Sequence, residues 1–266
     1  MRDTPTVPLL PWDDAESCGV SVAVTTRLGG ISQPPYDTLN LGLHVGDRPE
    51  DVLANRERAA AAFGVALSDL VFAHQVHGSA VRHVGPGDAG RGTTSQEDAL
   101  DDSDILVTTS LAVTLTILVA DCVPIALVDP ESRVLAVVHA GWRGTAAGAV
   151  GAALGGMVDA GARSERVRAF IGPAVAPSSY QVGNEVRAAL AEAIGPEALA
   201  PTVAQPDGPG HWLVDLVAAN RQQLEAAGVP PEFIDESAIT TANPSLFSDR
   251  AARPCGRFGL LARLVA

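Results

Sequence analysis

Residues 111–145 read LAVTLTILVADCVPIALVDPESRVLAVVHAGWRGT, and this stretch decides the expected fold. It holds two apolar runs rich in β-branched residues, with a DPES turn before the second. Such runs, bounded by turn residues, predict buried β-strands. The first run ends at Asp121 and Cys122, and the second ends at His139, close to Arg143. Polar side chains are costly to bury at strand ends unless they are paired or ligated, so we expect the chemistry here.

Composition and charge limit the classes of protein to which this chain can belong. The 266 residues are 47% hydrophobic and 18% charged, which is typical of a globular protein. A net charge of −13 disfavours non-specific nucleic-acid binding, which needs a basic surface. The uncharged residues 105–120 are Thr-rich and shorter than a membrane span of about 20 residues. The first residues lack the apolar core of a secretory signal. We therefore expect a cytoplasmic protein, a monomer or weak oligomer, with no nucleic-acid or membrane partner.

The remaining chain mixes predicted strands and helices without a repeat or a linker. Residues 49–63 predict a helix that begins with proline and ends at a glycine, and the small-residue segment 145–160 predicts another. Further helices are predicted at 184–194 and 215–227, and strands at 20–26, 81–84, 105–109, 167–171, 211–214, 238–241 and 258–265. This order predicts a single α/β domain over residues 1–266, with a mixed β-sheet core flanked by helices.

Three distant residues, His77, Cys122 and His139, form a candidate set of metal ligands. Imidazole and thiolate bind zinc, and three protein ligands with one open position are typical of catalytic zinc. The alternative for Cys122 is an ordinary core thiol, and three widely spaced cysteines predict no disulfide framework. Asp121 is a candidate general acid or base, or else a structural acceptor for backbone N–H groups. His74 lies three residues before His77, and in a strand the two would point to opposite faces, so only one is expected in a site.

Arginines near these residues suit an anionic ligand. Arg143 lies in a glycine-flanked turn, where a guanidinium binds phosphate or carboxylate well, or else stacks on the neighbouring indole. Arg250, Arg253 and Arg257 lie in a basic C-terminal segment, where they either add to an anion site or balance the negative surface. The acids at 101–104 are interpreted as the solvated start of a strand, with metal binding as the less common alternative.

Several motifs together resemble one protein family. In chain order they are TTRLGG, LNLGLHVGD, HQVHG, ADCVPI, VVHAGWRGT, IGPAV followed by SYQVG, and FSDR followed by CGR. The chain resembles the laccase-domain, or multicopper polyphenol oxidase, family. Members of that family are also described as purine nucleoside phosphorylases with adenosine deaminase activity and as peptidoglycan editing factors. The resemblance covers nearly the whole chain after about Val20, but the FSDR segment departs from the family pattern at Asp249 and Ala251.

The resemblance implies a fold akin to the toxin-deamidase-like cysteine hydrolases. It also implies a metal site or catalytic triad at the three candidate ligands named above. Arg27, Asn40 and His44 lie in glycine-rich segments that the family shares, and we propose them as pocket lining. Arg143 and Arg257 complete the predicted substrate-binding set.

Two enzyme functions use these residues in different ways. The favoured one is a purine nucleoside enzyme for adenosine or inosine and phosphate. Zinc would activate a water for deamination at C6, Asp121 would shuttle protons, and Arg143 would anchor phosphate for phosphorolysis. The alternative is a Cys–His amidase acting on a cell-wall precursor, with Cys122 as nucleophile and His139 or His77 as base. The HxE and PCxxC signature of the usual zinc deaminases is absent, so deamination rests on the resemblance.

Two further functions rank lower. Two histidines and one cysteine also suit copper, so a copper-dependent polyphenol oxidase is a lesser alternative, with copper as the alternative to zinc. Neither Met1 nor Met157 neighbours a candidate ligand, and six histidines are few for a multi-site copper oxidase. The last is a metal-binding or scaffold protein without turnover.

Overall fold

The computed structural model describes residues 6–199 and 202–266. Within these ranges the helices are α1 (Pro49–Phe63), α2 (Trp142–Ala146), α3 (Ala149–Asp159), α4 (Asn184–Ile194), α5 (Pro196–Leu199) and α6 (Leu216–Ala226). The strands are β1 (Leu9–Pro11), β2 (Val20–Thr25), β3 (Leu70–Val71), β4 (Val81–His83), β5 (Ile105–Thr108), β6 (Thr114–Val119), β7 (Val123–Asp129), β8 (Val134–Ala140), β9 (Arg168–Ile171), β10 (Gln181–Gly183), β11 (Ala204–Pro206), β12 (His211–Val214), β13 (Ile234–Glu236) and β14 (Phe258–Leu264). None of these helices is long and apolar enough to cross a membrane.

The strands form two large sheets and a small one. The five-stranded sheet has the order β1-β2-β14-β6-β3, and the six-stranded sheet has the order β13-β9-β7-β8-β5-β4. Both are mixed, because β3–β6, β4–β5 and β9–β13 pair in parallel while the other neighbours are antiparallel. β10, β12 and β11 form the small antiparallel sheet. The predicted mixed α/β fold is confirmed, with two large sheets in place of one.

Residues of β8 alternate between two hydrophobic cores. Val134 and Val138 face a core that includes α3 and α6, whereas Leu135 and Val137 face the core between the two large sheets. Burial on both faces explains why this strand reads as a continuous apolar run. Because strand side chains alternate, His139 lies on the face turned towards the five-stranded sheet.

The stretch 111–145 forms three strands and not the two predicted. β6 lies in the five-stranded sheet, whereas β7 and β8 pair as a hairpin in the six-stranded sheet. Residues 120–122 carry the chain from one sheet to the other, and Asp121 has a left-handed backbone there, with φ of 95°. The crossing contains no glycine or asparagine, so the sequence lacks the strongest turn signals there. Cys122 therefore lies where the two sheets meet.

Two other predictions were wrong in detail. The helix predicted at 145–160 is two helices, because α2 begins at Trp142 and Gly148, with φ of 74°, separates it from α3. Residues 238–241 form no strand; the edge strand β13 lies a few residues earlier and pairs with β9. Isolated β-propensity did not distinguish the two segments, since what decides a strand is the neighbour with which it pairs.

Candidate active site

Side chains from three distant segments converge at the open end of the β7–β8 hairpin. His77 lies in an irregular loop after β3, Cys122 ends the crossing between the sheets, and His139 is the penultimate residue of β8. One ligand atom from each residue lies within 4.8 Å of the other two. The rings of His77 and His139 meet edge to face, with centroids 4.7 Å apart. The three residues selected from the sequence thus lie together.

Asp104, which the sequence analysis placed at a solvated strand start, is fully buried behind these residues. Its Oδ1 accepts hydrogen bonds from Nδ1 of His139 at 2.7 Å and from the amide of His77 at 3.0 Å. Its Oδ2 accepts from the amides of Val76 at 3.2 Å and Gly78 at 2.6 Å. One carboxylate therefore orients the His139 ring and fixes the loop in which His77 has a left-handed backbone, with φ of 62°.

The charges of these groups depend on one another. Burial opposes the ionisation of Cys122, but the adjacent His139 and hydrogen bonds from both imidazoles outweigh it and lower the pKa of the thiol to about 6. Burial also opposes a charge on His139, but the Cys122 thiolate and Asp104 raise the pKa of that imidazole to about 9. Hydrogen bonds from His139 and Gly78 overcome burial and keep the pKa of Asp104 below its usual range. The metal-free site therefore holds a thiolate and an imidazolium between about pH 6 and about pH 9.

Gly141 explains why the HAGWRG motif needs a glycine directly after the strand. A Cβ at this position would lie 2.8 Å from Sγ of Cys122 and 3.2 Å from Cδ2 of His77. Only a residue without a side chain lets the backbone approach the two donors so closely.

Asp121 is held by residues from the C-terminal part of the chain. Its carboxylate accepts hydrogen bonds from the hydroxyls of Thr241 and Ser248 and, at 2.6 Å, from the amide of Arg250. This is the structural-acceptor alternative of the sequence analysis, although the donors come from afar and include two hydroxyls. A proton-transfer role for Asp121 remains a prediction.

His74 does not join the donor set. It is exposed, and its Nδ1 lies 2.7 Å from Oδ1 of Asp102. Both histidines line the cavity in front of the donor set, although only His77 is among the three donors, and the segment is an irregular loop and not a strand. Gln75 lies between the two histidines, and the sequence analysis gave it no role. Its amide bonds both the N–H and the C=O of Leu118, at 2.8 Å each, and so fastens the loop to β6.

A cavity of about 290 Å³, here called the histidine cavity, opens onto the three donors. Its lining includes His44 and Arg257, which the sequence analysis proposed for substrate binding, and Arg56 and Phe72, which it did not. Burial, together with Arg257 and Arg56, lowers the pKa of His44 to about 4, so this imidazole is neutral at neutral pH. The guanidinium of Arg56 is buried, lies 4.0 Å above the Phe72 ring and donates to three backbone carbonyls.

Two residues predicted as pocket lining support the wall from behind. Asn40 is fully buried, and its side chain bonds Gly42, Asp47 and the amide of Arg257. Arg27 pairs with Asp37 at 3.0 Å and lies over the ring of Phe247. Neither side chain belongs to the cavity wall. Asn40 therefore positions the backbone of Arg257, and neither Asn40 nor Arg27 lines the cavity.

Arg143 does not line the histidine cavity but lines a second cavity of about 230 Å³. We call it the arginine cavity and define it by Trp142, Arg143, Tyr180, Arg250 and Arg253; His77 and Cys122 also lie on its wall. The guanidinium of Arg143 lies 4.3 Å from the centroid of the Trp142 ring, which is the stacking that the sequence analysis gave as the alternative to anion binding.

The donor set fits a zinc ion. Two imidazoles and a thiol with a lowered pKa supply soft and borderline ligands, and the carboxylate behind His139 is the partner that a ligating histidine usually has. Three ligands leave a position for a water or a substrate atom. The same donors also suit copper.

Comparisons with known proteins identify the family to which the chain is related. Residues 21–265 match the family described as multi-copper polyphenol oxidoreductase laccase. The chain is 43% identical over 237 residues to a purine nucleoside phosphorylase of Mycobacterium tuberculosis, with 89% of each chain covered. It is 34% identical over 239 residues to the purine nucleoside phosphorylase YfiH of Escherichia coli, covering 90% of this chain and 91% of the relative.

Two solved structures have the same fold as this chain. The crystal structure of the hypothetical protein YfiH from Bacillus licheniformis superposes with a TM-score of 0.90 at 31% identity, over 99% of this chain and 98% of that one. The structure of YlmD from Geobacillus stearothermophilus superposes with a TM-score of 0.89 at 36% identity, over 93% of each chain. This chain therefore belongs to the multi-copper polyphenol oxidoreductase laccase family, as its motifs predicted.

Proposed function

We propose that this protein is a purine nucleoside enzyme that splits adenosine and inosine with phosphate and deaminates adenosine, at a zinc site formed by His77, Cys122 and His139. One observation supports this above the others: three ligand atoms lie within 4.8 Å of one another on the wall of a cavity of about 290 Å³. Cavities of this order hold small molecules. The relatives' name, purine nucleoside phosphorylase, supplies the substrate class.

Zinc would be held by Sγ of Cys122 and one ring nitrogen of each histidine. When bound, it supplies Lewis-acid activation of a water or a substrate atom. Asp104 holds Nδ1 of His139 and so leaves Nε2 for the metal. Copper is less favoured, because Met157 is buried in the core as part of α3 and so gives no axial thioether.

The two proposed reactions balance as follows. In phosphorolysis, a phosphate oxygen forms a bond to C1′ of the nucleoside while the bond from C1′ to N9 breaks. The electron pair goes to N9, which takes up a proton, and the products are ribose 1-phosphate and the free base. In deamination, water adds at C6 of adenosine and ammonia leaves, which gives inosine.

Residues of the chain have separate tasks in this proposal. His44, neutral at neutral pH, and Arg257 provide hydrogen-bonding groups on the wall of the histidine cavity for the base or the ribose. Arg143 lines the arginine cavity and anchors phosphate. Asp121 lies next to Cys122 in sequence and is the proposed proton carrier, with its carboxylate oriented by three hydrogen-bond donors.

Product analysis tests the proposal. Zinc-loaded protein is incubated with inosine or adenosine, with and without phosphate, and the purines and ribose 1-phosphate are separated by chromatography. We expect hypoxanthine from inosine only when phosphate is present, and inosine from adenosine in either case. Cys122→Ala should lose both activities and the bound zinc, whereas Cys18→Ala, which removes another buried thiol, should keep all three. The proposed function is refuted if the protein forms no more product than a heat-killed control.

A second function, the Cys–His amidase, is favoured by one specific arrangement. Cys122, His139 and Asp104 form the chain of nucleophile, base and orienting carboxylate that cysteine hydrolases use. Sγ of Cys122 would attack the carbonyl carbon of an amide in a cell-wall precursor, His139 would protonate the departing amine, and water would release the acid. Chelation of the metal separates the two functions, because it should abolish nucleoside turnover but leave amidase activity intact or increase it.

A further inference from the structure

Cys122 and His77 are reached from two sides. Both lie on the wall of the histidine cavity and on the wall of the arginine cavity. Asp249 also lines both, and its carboxylate pairs with Arg253 at 2.6 Å and with Arg257 at 3.6 Å. The two cavities thus share two of the three donors, whereas His139 lies on the wall of the histidine cavity alone.

The two cavities differ in how their arginines are occupied. In the histidine cavity, Arg56 donates to three backbone carbonyls, and Arg257 donates to acceptors of residues 255 and 256. In the arginine cavity, Arg143 and Arg250 are exposed. Neither guanidinium has an ion pair or a hydrogen-bond acceptor among residues 6–199 and 202–266. Their donors are therefore available to a ligand.

Aromatic rings hold these two guanidiniums beside the cavity. Arg143 lies 4.3 Å from the centroid of Trp142, and Arg250 lies 5.1 Å from the centroid of Tyr180. Stacking on a ring orients a guanidinium without using its N–H groups. The amide of Arg250 is in turn fixed by Asp121, beside Cys122. The chain therefore presents two oriented cations next to the donor set, although its net charge is −13.

We propose that the arginine cavity binds inorganic phosphate through Arg143 and Arg250, separately from the nucleoside, which occupies the histidine cavity. The inference rests on the proposed function and adds Arg250 to Arg143 as a second anchor. Guanidinium matches the geometry of phosphate oxygens and binds them by charge-assisted hydrogen bonds. Because the overall field of an acidic protein repels phosphate, capture requires such a local pair of cations. With two openings, phosphate binds in the absence of nucleoside, and either substrate adds first.

Arg250→Met, Arg143→Met and the double variant test this. Arg168→Met is the matched control, because Arg168 also lies over an aromatic ring, that of Phe233 at 4.1 Å, but belongs to neither cavity. Calorimetry with inorganic phosphate, on zinc-loaded protein without nucleoside, gives a readout that does not depend on turnover. We expect the wild type and the control to bind phosphate alike, and each cavity variant to bind it at least about tenfold more weakly, a difference of about 1.4 kcal/mol.

Kinetics give the second readout. The KM for phosphate should rise at least about tenfold in each variant, while the KM for inosine stays within about twofold. Arg168→Met, which lies outside both cavities, should keep the wild-type KM for phosphate and the wild-type rate of adenosine deamination. The inference is overturned if the phosphate KM of the double variant equals that of the wild type, if both KM values rise together, or if phosphate binds only after nucleoside. Failure of the proposed function is a different result, in which the wild type forms neither inosine nor ribose 1-phosphate whatever the calorimetry shows.

Discussion

Replacing Asp104 by asparagine tests whether one buried carboxylate organises the site. Each of its oxygens accepts two hydrogen bonds, from His139 and His77 at Oδ1 and from Val76 and Gly78 at Oδ2. Asparagine turns one oxygen into an NH₂ group, which faces donors and cannot accept from them. Two hydrogen bonds to a charged group are lost, at about 1.5–3 kcal/mol each, so we expect the free energy of unfolding to fall by about 3–6 kcal/mol.

The same substitution should weaken zinc binding. The carboxylate behind a ligating imidazole typically contributes about 10–100-fold to metal affinity. This corresponds to about 1.4–2.8 kcal/mol of binding free energy. Competition with a chromophoric chelator gives the zinc Kd, and urea titration of the metal-free protein gives the free energy of unfolding. Asp104→Asn should change both quantities.

Asp102→Asn is the control, because it alters the same kind of contact on the surface. Oδ1 of Asp102 lies 2.7 Å from Nδ1 of His74, and both side chains are more than half exposed. Exposed pairs of this kind contribute little, so we expect a change of at most about 1 kcal/mol in unfolding and none in zinc affinity. If the two asparagine variants behave alike, the role given to Asp104 is refuted.

Three further predictions concern packing and charge at the site. Gly141→Ala should weaken zinc binding in the chelator assay, since its Cβ would lie 2.8 Å from Sγ of Cys122, and a zinc affinity equal to that of the wild type would contradict the close approach. Gly151→Ala is the control: its position in α3 has open space around it, so the substitution should raise the free energy of unfolding by about 0.5–1 kcal/mol. Arg56→Leu leaves three backbone carbonyls without a donor and should lower the free energy of unfolding in urea by at least about 3 kcal/mol. Arg58→Leu is the control, because it loses one such bond and should cost about 1 kcal/mol; similar losses in the two variants would contradict the prediction. The rate at which iodoacetamide alkylates Cys122 in the metal-free protein should rise as the pH passes through about 6, because the thiolate forms above that pKa. Cys122→Ser supplies the background rate, and a midpoint near pH 9 would contradict the prediction.

The predictable parts of this protein were those with a local signal. The apolar runs of β6 and β8 identified buried strands, and the polar residues at their ends identified Cys122 and His139. The crossing at residues 120–122 was missed, since neither glycine nor asparagine marks it and its turn depends on bonds between Asp121 and residues 241–250. The break at Gly148 was hidden among the other small residues of that segment.

Asp104 could not be distinguished from its acidic neighbours by sequence. Residues 101–104 look alike as a run of acids, but Asp102 is exposed and Asp104 is fully buried. The difference arises from the register of β5 and β8, where Ile105 lies opposite Val138 and so brings Asp104 to His139. Strand register is a tertiary property, so a single sequence carries no record of which carboxylate meets the imidazole.

β14 lies between β2 and β6 in the five-stranded sheet, so strands from two earlier parts of the chain are joined by one made much later. During synthesis on the ribosome, the facing edges of β2 and β6 have no partner until residues 258–264 emerge. Unpaired edges recruit other chains, so the nascent polypeptide needs shielding during that interval.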